Sequence, residues 1–451
     1  MKFMVIGSGG REHAMIWKLG QSKNVGKIYA APGNGGSSGE KKCENVDLFG
    51  RESAEEEIQE ALIRYAIKES VDLTIVGPEA PLAAGIVDRF RAAGLNILGP
   101  DSRGAALEAS KAYAKSFMEK YGVRAAKSLT FTGCGEALEA VRAHFNAPGG
   151  TKPPPLVIKA DGLAAGKGVI ISASEAAAKK AVRSFMEDGA LGGAGKVLVL
   201  EEFLEGREVS VLAAVSAGPS VKKGGAIIPF VGARDHKRRF EGDEGPNTGG
   251  MGAVAPVPDF SAAAQNDFYE AILTPTLRGI NAEGFDYRGF IFFGLMIHGS
   301  ECKLLEYNVR LGDPETQALL PLMESDFALL CTAILDGSLE RFPLAWKPGA
   351  VCAPVAVAGG YPGEYRKGDP IAFNETAFAK TGALFFAAGA ARSPGGAAGS
   401  GLRTAGGRVF TVSAYGAGAA EAREKAYAAL KAISFDGMAC RRDIGAVFLK
   451  P

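Results

Sequence analysis

The segment LLEYNVRLGDPETQ at 304–317 places Glu306 and Asn308 two residues apart. In a strand that spacing turns both side chains to one face. A carboxylate oxygen beside an amide oxygen is a hard donor pair suited to Mg²⁺ or Mn²⁺ bridging nucleotide phosphates. Arg310 joins the same face if the strand continues, where a guanidinium would stabilise charge on a phosphoryl group in transfer. A hydrogen-bonded polar strand edge is the other reading of this spacing.

Nucleotide phosphates need cations, and VIKADGLAAGKGVII at 157–171 holds Lys159 and Lys167. The run from Gly162 to Gly168 resembles a P-loop but departs from it twice. Three residues, not four, separate Gly162 from Gly166, and Gly168 replaces the Ser or Thr that would bind magnesium. Val169-Ile170-Ile171 also reads as a strand where a P-loop needs a helix. What remains is a glycine-rich hairpin able to fold over phosphates. Lys159, on an apolar strand, needs an anionic partner there, either a nucleotide phosphate or a structural salt bridge. Downstream, VLVLEEFLEGREV at 197–209 is an apolar strand ending in Glu201-Glu202-Phe203-Leu204. Phe203 and Leu204 offer adenine an apolar face and backbone hydrogen bonds, and Glu208 offers ribose a carboxylate. Taken alone, the segment also fits an ordinary strand end.

Gly7-Ser8-Gly9-Gly10 stands between an apolar strand at 3–6 and a helix with Met15, Ile16 and Leu19 on one face. Bare N–H groups at a helix start favour an anion. A dinucleotide fingerprint needs a third small residue where this chain has Glu12, whose carboxylate would crowd a pyrophosphate. The turn with Arg11 suits a phosphate monoester better, since a guanidinium matches phosphate geometry. The alternative is a tight turn that needs glycine for its backbone.

The elements that must position these residues follow from the rhythm of the chain. Apolar strands at 3–6, 28–31, 73–76 and 97–98, each followed by a Gly/Pro turn, predict a doubly wound parallel α/β domain. A helix at about 103–120 leads to a proline-rich loop at 148–155. Strand–loop–strand patterning follows to about 326, then an Ala/Gly-rich tail with short strands near 351–358, 383–387 and 408–412. Residues 388–401 read as a flexible surface loop. A length of 451 residues predicts two to four domains. A net charge of +1 without a long basic run gives nucleic acid no electrostatic footing. Lys237-Arg238-Arg239 is answered at once by Glu241, Asp243 and Glu244. The six cysteines show no CxxC pair and the four histidines lie far apart, so neither a disulfide framework nor a histidine-rich metal centre is visible. With no signal-like or membrane-spanning run, a cytoplasmic location is expected.

With DHKRRFEGDEGPNTGGMG at 235–252, these segments resemble the ATP-grasp superfamily and, within it, the glycinamide ribonucleotide synthetase family. The resemblance runs through essentially the whole chain, in IGSGGREHAM, TIVGPEAPLAAGIVD, the Ser110-Lys111 pair, IKADGLAAGKGV, EEFLEGREVS, DHKR…GPNTGGMGA, EYNVRLGDPETQ, GGYPGEY and TAGGRV. It implies an N-terminal α/β domain at 1–108 for phosphoribosylamine and an ATP-grasp core of two α+β subdomains at 109–332. The lid would span about 127–205, and a small β-rich C-terminal domain 333–451. By the same resemblance, Lys111 and Lys159 contact ATP phosphates, with Gly166, Lys167 and Gly168 in the loop over them. Glu201, Glu202, Phe203, Leu204 and Glu208 hold adenosine, and Glu306 and Asn308 the metal. Gly9, Gly10, Arg11 and the adjoining Glu12 receive the 5′-phosphate of phosphoribosylamine, and Glu79 its ribose hydroxyls. Asp235, Lys237, Asn247, Thr248, Gly249, Gly250, Arg310 and Asp313 surround glycine and the reacting acyl phosphate.

The implied activity is ligation of glycine to 5-phosphoribosylamine with MgATP, through glycyl phosphate. The implied partners are small molecules only, acting on a monomer or dimer. Three departures stand out: Ser8 where asparagine is expected, Phe386 where relatives often carry histidine, and Gly294 where some ATP-grasp enzymes place a further metal carboxylate. The rival readings are another purine-pathway ATP-grasp ligase using formate or bicarbonate, an NAD-dependent oxidoreductase, and a nucleotide sensor without turnover.

Overall fold

The computed structural model describes residues 1–50, 53–147, 153–163, 168–219, 221, 224–393 and 401–446. Its base is a nine-stranded sheet. One half is parallel, in the order Cys43–Asn45, Lys27–Pro32, Lys2–Gly7, Leu73–Val76, Ile97–Pro100. Apart from the short edge strand Cys43–Asn45, these strands are mostly apolar and buried because helices cover both faces, leaving no wet side to read as alternation. Strand order reverses between Lys2–Gly7 and Leu73–Val76, which opens a crevice at their carboxyl ends. Gly7 and Gly77 sit at that crevice.

The sheet does not end with the parallel strands. Ile97–Pro100 pairs antiparallel with Tyr287–His298 through Tyr287↔Pro100 and Arg288↔Gly99. Tyr287–His298 is flanked in turn by Arg207–Ala217 and Glu301–Asn308. At this seam the backbones come so close that a Cβ on Gly289 would lie 2.9 Å from the Cα of Gly99.

A separate four-stranded antiparallel sheet forms the lid, in the order Ser128–Phe131, Leu198–Glu202, Leu156–Ala160, Val169–Ser172. Helices Cys134–Phe145 and Glu175–Met186 cover one face and give the lid its own core of Val141, Ile158, Val182, Phe185 and Leu198. Ser174 caps the second helix by accepting from the Ala177 N–H, and Ala178, Ala181, Val182 and Phe185 bury its apolar stripe. Val169–Ser172 is a strand paired antiparallel with Leu156–Ala160, so a strand and not a P-loop helix follows the glycine segment. Gly166 and Lys167 lie outside the described residues.

The remaining sheet has five strands, in the order Arg234–Asp235, Gly252–Ala255, Ala350–Val357, Arg408–Gly416, Leu384–Ala387. Helix Ala419–Leu430 packs against it through Ala422, Ala426 and Ala429. Two of its strands flank the DHKR…GPNTGGMG segment, so that segment is bound to the C-terminal part of the chain by sheet pairing.

Three sequence expectations differ from the structure. The single helix at 103–120 is two, Ser102–Ala109 and Lys111–Tyr121. The break is Ser110, which is extended and caps the second helix by accepting from the Tyr113 N–H. The strand–loop–strand reading of 156–326 omits the lid helix Glu175–Met186 and the helices Ala262–Phe268 and Thr274–Glu283. In the lid helix, alanines fill much of the buried face and weaken the apolar signal. The loop at 388–401 includes a strand, Ala390–Arg392, that pairs with Leu402–Thr404; residues 394–400 lie outside the described residues.

The seam can be tested directly. Gly289→Ala should lower stability by roughly 1–3 kcal/mol, the usual cost of overpacking. The readout is the urea unfolding midpoint, and an unchanged midpoint would show that the two halves of the sheet can move apart at the seam without cost.

Candidate active site

One cleft of about 1390 Å³ runs between the lid sheet, the strand Glu301–Asn308, the N-terminal glycine turn and the segment after Asp235. It gathers most of the residues singled out in the sequence. Gly10 and Gly250 are off its lining. A Cβ on Gly10 would meet the Gln317 side chain at 2.6 Å, and one on Gly250 would meet Asp235 Oδ1 at 2.6 Å, so both glycines permit close packing behind the wall.

At the glycine turn, Glu12 folds back over the backbone. Its Oε2 accepts from the Gly9 N–H at 2.5 Å, and its Oε1 pairs with Arg11 Nε at 2.5 Å. A Cβ on Gly77 would lie 2.0 Å from Glu12 Oε1, so the carboxylate fills the space where a dinucleotide fold holds pyrophosphate. Arg11 also donates to the Leu311 carbonyl at 3.1 Å. Burial works against its charge, but Glu12, Asp313 and Glu79 outweigh burial and raise its pKa. Asn34 ties the turn down, donating from Nδ2 to the carbonyls of Ser8 at 2.9 Å and Ala387 at 2.8 Å. Ser8 itself is exposed. Phe386 is fully buried, edge-on to His13 and Trp17 at 5.7 Å.

These lysines converge from two elements. Lys159 comes from the lid strand Leu156–Ala160, and Lys111 and Lys115 from the helix that Ser110 caps. Asp161 locks that helix start to the lid, accepting from Ser110 Oγ and the Ala112 N–H, each at 3.1 Å. Lys111 donates to the Gly162 carbonyl at 3.0 Å. The carboxylate of Glu201, 2% exposed, lies between Lys159 at 3.0 Å and Lys115 at 3.2 Å. Lys159 thus has a structural salt-bridge partner and also lines the cleft. The Glu202 carboxylate turns away to the Lys127 N–H at 3.0 Å and Lys303 at 3.6 Å. Phe203 and Leu204 line the cleft.

A backbone irregularity aims the donor pair. Along Glu301–Asn308, Cys302 and Leu304 point into the core. Simple alternation would send Glu306 and Asn308 to the core as well. Instead a bulge falls between the pairs Gly294↔Glu306 and Leu295↔Leu304, leaving Leu305 without a partner. Beyond it Tyr307 takes the core side, and Glu306 and Asn308 face the cleft. The freed Leu305 carbonyl accepts from Lys159 Nζ at 3.2 Å. Burial alone would raise the Glu306 pKa, but Lys237, Lys159 and Lys111 together hold it below the usual carboxylate value.

At the far end, Lys237 is ion-paired with Glu208. Burial pulls its pKa down, but Glu208, Glu306 and Asp235 outweigh burial and raise it. The strand ends at Asn308, so Arg310 does not extend the Glu306–Asn308 face as the spacing suggested. It lies in a bend, held by Glu108 at 2.9 Å and Glu79 at 3.5 Å. Asp313 is paired with Arg408 at 3.1 Å, and burial, which would protonate it, loses to Arg408 and Arg11. Arg408 also donates to the Gly249 carbonyl and so joins the 247–250 turn to the Asp313 loop. Burial and the neighbouring Glu315 carboxylate push the Asp235 pKa up, and burial pushes that of Glu315 up. Sequence reading did not single out Lys115, Glu108, Glu315 or Arg408 as site residues. Glu315 and Arg408 lie inside quoted motifs, in GDPETQ and TAGGRV, whereas Glu108 and Lys115 carry no local signal.

A four-stranded lid over a strand bearing a carboxylate–amide pair, with lysines from both sides, is the ATP-grasp arrangement. Models of three phosphoribosylglycinamide synthetase domains match the chain: the N domain over residues 1–108, the ATP-grasp (A) domain over 109–316 and the C domain over 350–447. Phosphoribosylamine–glycine ligase of Clostridium acetobutylicum is 47% identical over 445 residues, covering 99% of each chain. The enzyme of the same name from Allochromatium vinosum is 44% identical, covering 99% of this chain and 98% of its own. The crystal structure of phosphoribosylamine–glycine ligase from Thermotoga maritima superposes with a TM-score of 0.80 at 32% identity, covering 98% of this chain and all of that one. A biotin carboxylase domain from Hydrogenobacter thermophilus shares the fold at a TM-score of 0.69 and 13% identity, covering 97% of this chain and 91% of that one. The chain belongs to the phosphoribosylglycinamide synthetase family.

Replacing Lys159 by alanine would remove a cation from the cleft and strand the Leu305 carbonyl. ATP turnover should then fall by about 10²–10³, the usual cost of losing one preorganised charge-stabilising donor. Steady-state ADP release measures it, and near-normal turnover would rule out the assigned contact.

Proposed function

We propose that this chain ligates glycine to 5-phosphoribosylamine, consuming ATP and giving glycinamide ribonucleotide, ADP and phosphate through glycyl phosphate. This is a step of de novo purine biosynthesis. The observation that carries the reading is one cleft in which Lys111, Lys159 and Lys237 surround Glu306, in a chain alike along its whole length to named ligases.

Attack of a carboxylate on a triphosphate brings negative charges together, so the first step needs fixed cations. Lys111 and Lys159 hold the ATP phosphates, while Phe203, Leu204 and Glu208 hold adenosine. Arg310, fixed by Glu79 and Glu108, faces the transferring phosphoryl group without having to reorganise. Glu306 and Asn308 present hard oxygen donors to the cleft, and Gly294, opposite Glu306, adds no further ligand. The described residues hold no cluster of three His, Cys, Asp or Glu side chains, which fits an ion shared between this pair and phosphates. A Mg²⁺ or Mn²⁺ bound there would neutralise phosphate charge.

Glycine lies between Asp235, Lys237 and the 247–250 turn. The Asp235 Oδ1 atom is buried without a hydrogen-bond partner and has Glu315 as its carboxylate neighbour, so this corner attracts an ammonium. Phosphoribosylamine enters from the glycine turn, with its 5′-phosphate at Gly9 and Arg11 and its ribose at Glu79. Its amine then attacks the acyl carbon and phosphate leaves. Closure of the lid sheet excludes water, which would otherwise hydrolyse the acyl phosphate.

Among the described residues no helix is long and apolar enough to cross a membrane. The reading places the enzyme in the cytoplasm as a monomer or dimer acting on small molecules. ADP release from MgATP, with glycine and freshly generated 5-phosphoribosylamine omitted in turn, tests it. Turnover should require both and yield glycinamide ribonucleotide. Dependence on a different acid would overturn the substrate, and ATP binding without turnover would overturn the activity.

A further inference from the structure

Besides the charged groups already described, one further buried cation on the cleft wall lies in the last described stretch of the chain. Arg441 is 2% exposed, and a guanidinium is seldom buried without partners. It forms a two-pronged pair with Asp443, Nε to Oδ1 at 2.8 Å and a terminal nitrogen to Oδ2 at 2.6 Å. Its other terminal nitrogen donates to Asp243 Oδ1 at 2.7 Å and to the Arg238 carbonyl at 3.0 Å. Both of those acceptors belong to the two-stranded hairpin Arg238–Phe240 and Glu244–Asn247.

This hairpin cannot hold itself in place. It belongs to no larger sheet, and residues 240–247 are all exposed, so it has no core. A lone two-stranded hairpin is marginal in water. At its tip Gly242 and Asp243 both take left-handed backbone, with φ of 71° and 58°. That conformation is costly for a non-glycine residue unless something grips it. Among the described residues, the hydrogen bonds tying the hairpin outward run to Tyr361, Arg441, Arg442 and Asp443. Tyr361 accepts from Arg239 at 2.8 Å, the Arg442 N–H donates to Glu241 at 3.1 Å, and Asp443 accepts from the Gly242 N–H at 2.9 Å. Arg441 is the hub, gripping both the first strand and the tip.

The hairpin joins two parts of the site. Lys237 immediately precedes it, and Asn247, Thr248 and Gly249 follow from its second strand, all on the cleft wall. Lys237 and Thr248 are themselves linked, since the Thr248 N–H and Oγ1 each donate to the Lys237 carbonyl at 2.8 Å. We propose that Arg441 is a positioning residue for the acid-binding end of the cleft. Through Asp243, Arg238 and Asp443 it fixes the hairpin whose two ends carry Lys237 and the 247–249 turn. The inference rests on the ligase reading for the identity of the acid, glycine. It assigns Arg441 no contact with substrate, and none with ATP, whose lysines come from other elements.

The test measures the KM for glycine, the Kd for MgATP and the rate of trypsin cutting after Arg238 or Arg239 on the same proteins. Displacing catalytic groups by fractions of an ångström is costly, so Arg441→Ala should raise the glycine KM by about tenfold or lower kcat by a similar factor. Its MgATP Kd should stay within about twofold, and trypsin should cut the hairpin faster. Arg441→Lys keeps the charge but loses the fork and should fall between. Asp243→Asn alters only the exposed end of the brace, so it leaves the cores intact if Arg441→Ala fails to fold; it should move the same readouts by about threefold. Faster cutting with unchanged glycine kinetics would overturn the proposal, as would unchanged cutting. A parallel loss of MgATP binding would also overturn it, since that marks a general structural role. If the wild-type enzyme ignores glycine and uses another acid, the ligase reading fails while the brace is still read in that acid's KM.

Discussion

Concentrated positive charge in one buried cleft is the constraint around which this protein is arranged. Lys111, Lys115, Lys159, Lys237 and Arg310 line one cleft, where unliganded they repel one another and lose hydration. The structure answers four of the five with a carboxylate at ion-pair distance, and Lys111 with the Gly162 carbonyl. Glu201 on a lid strand serves Lys115 and Lys159, Glu208 serves Lys237, and Glu79 with Glu108 serves Arg310. Glu306 takes its place among three of the lysines and is kept ionised by them. The Lys115–Glu201 pair ties the helix Lys111–Tyr121 to the lid, and Lys303 with Glu202 ties the lid to the central sheet.

The rigidity of that base is uneven by design of the fold. The parallel strands and the central antiparallel strands form one sheet, so the glycine turn and the Glu306–Asn308 strand keep a fixed relation. The lid has a core of its own, separate from the base, and meets it largely through polar contacts such as Asp161 with Ser110. The hairpin after Lys237 has no core and depends on polar anchors. The lid and the hairpin are thus the parts with the least apolar attachment to the base.

Much of the site was legible before any tertiary structure. Glu306 and Asn308, the lysine beside the glycine hairpin, and Glu12 as an obstacle to pyrophosphate all rest on residue type and short spacing, which survive folding. The doubly wound N-terminal half was legible for the same reason, since buried parallel strands advertise themselves as apolar runs. Reading failed where a local rule was interrupted. Alternation carried Arg310 onto the metal face, but the strand stops at Asn308. Alternation also could not explain why Glu306 and Asn308 face outward while Cys302 and Leu304 face inward, because a bulge leaves no mark on side-chain type. Ser110 broke a helix that periodicity joined.

The sequence by itself determined which chemistry was on offer: two hard oxygen donors, a set of lysines, a glycine turn blocked to dinucleotides and no thiol or histidine centre. Those properties belong to neighbouring residues and need no partner from afar. Only the tertiary structure decided how the charges are paired. Arg11 reaches a carbonyl 300 residues away, and Arg408 and Arg441 come from the C-terminal part to fasten Asp313, Gly249 and the hairpin tip. Such pairings depend on strand order and on where the chain returns, and the free energy that fixes them comes from burying apolar strands far from the charges themselves.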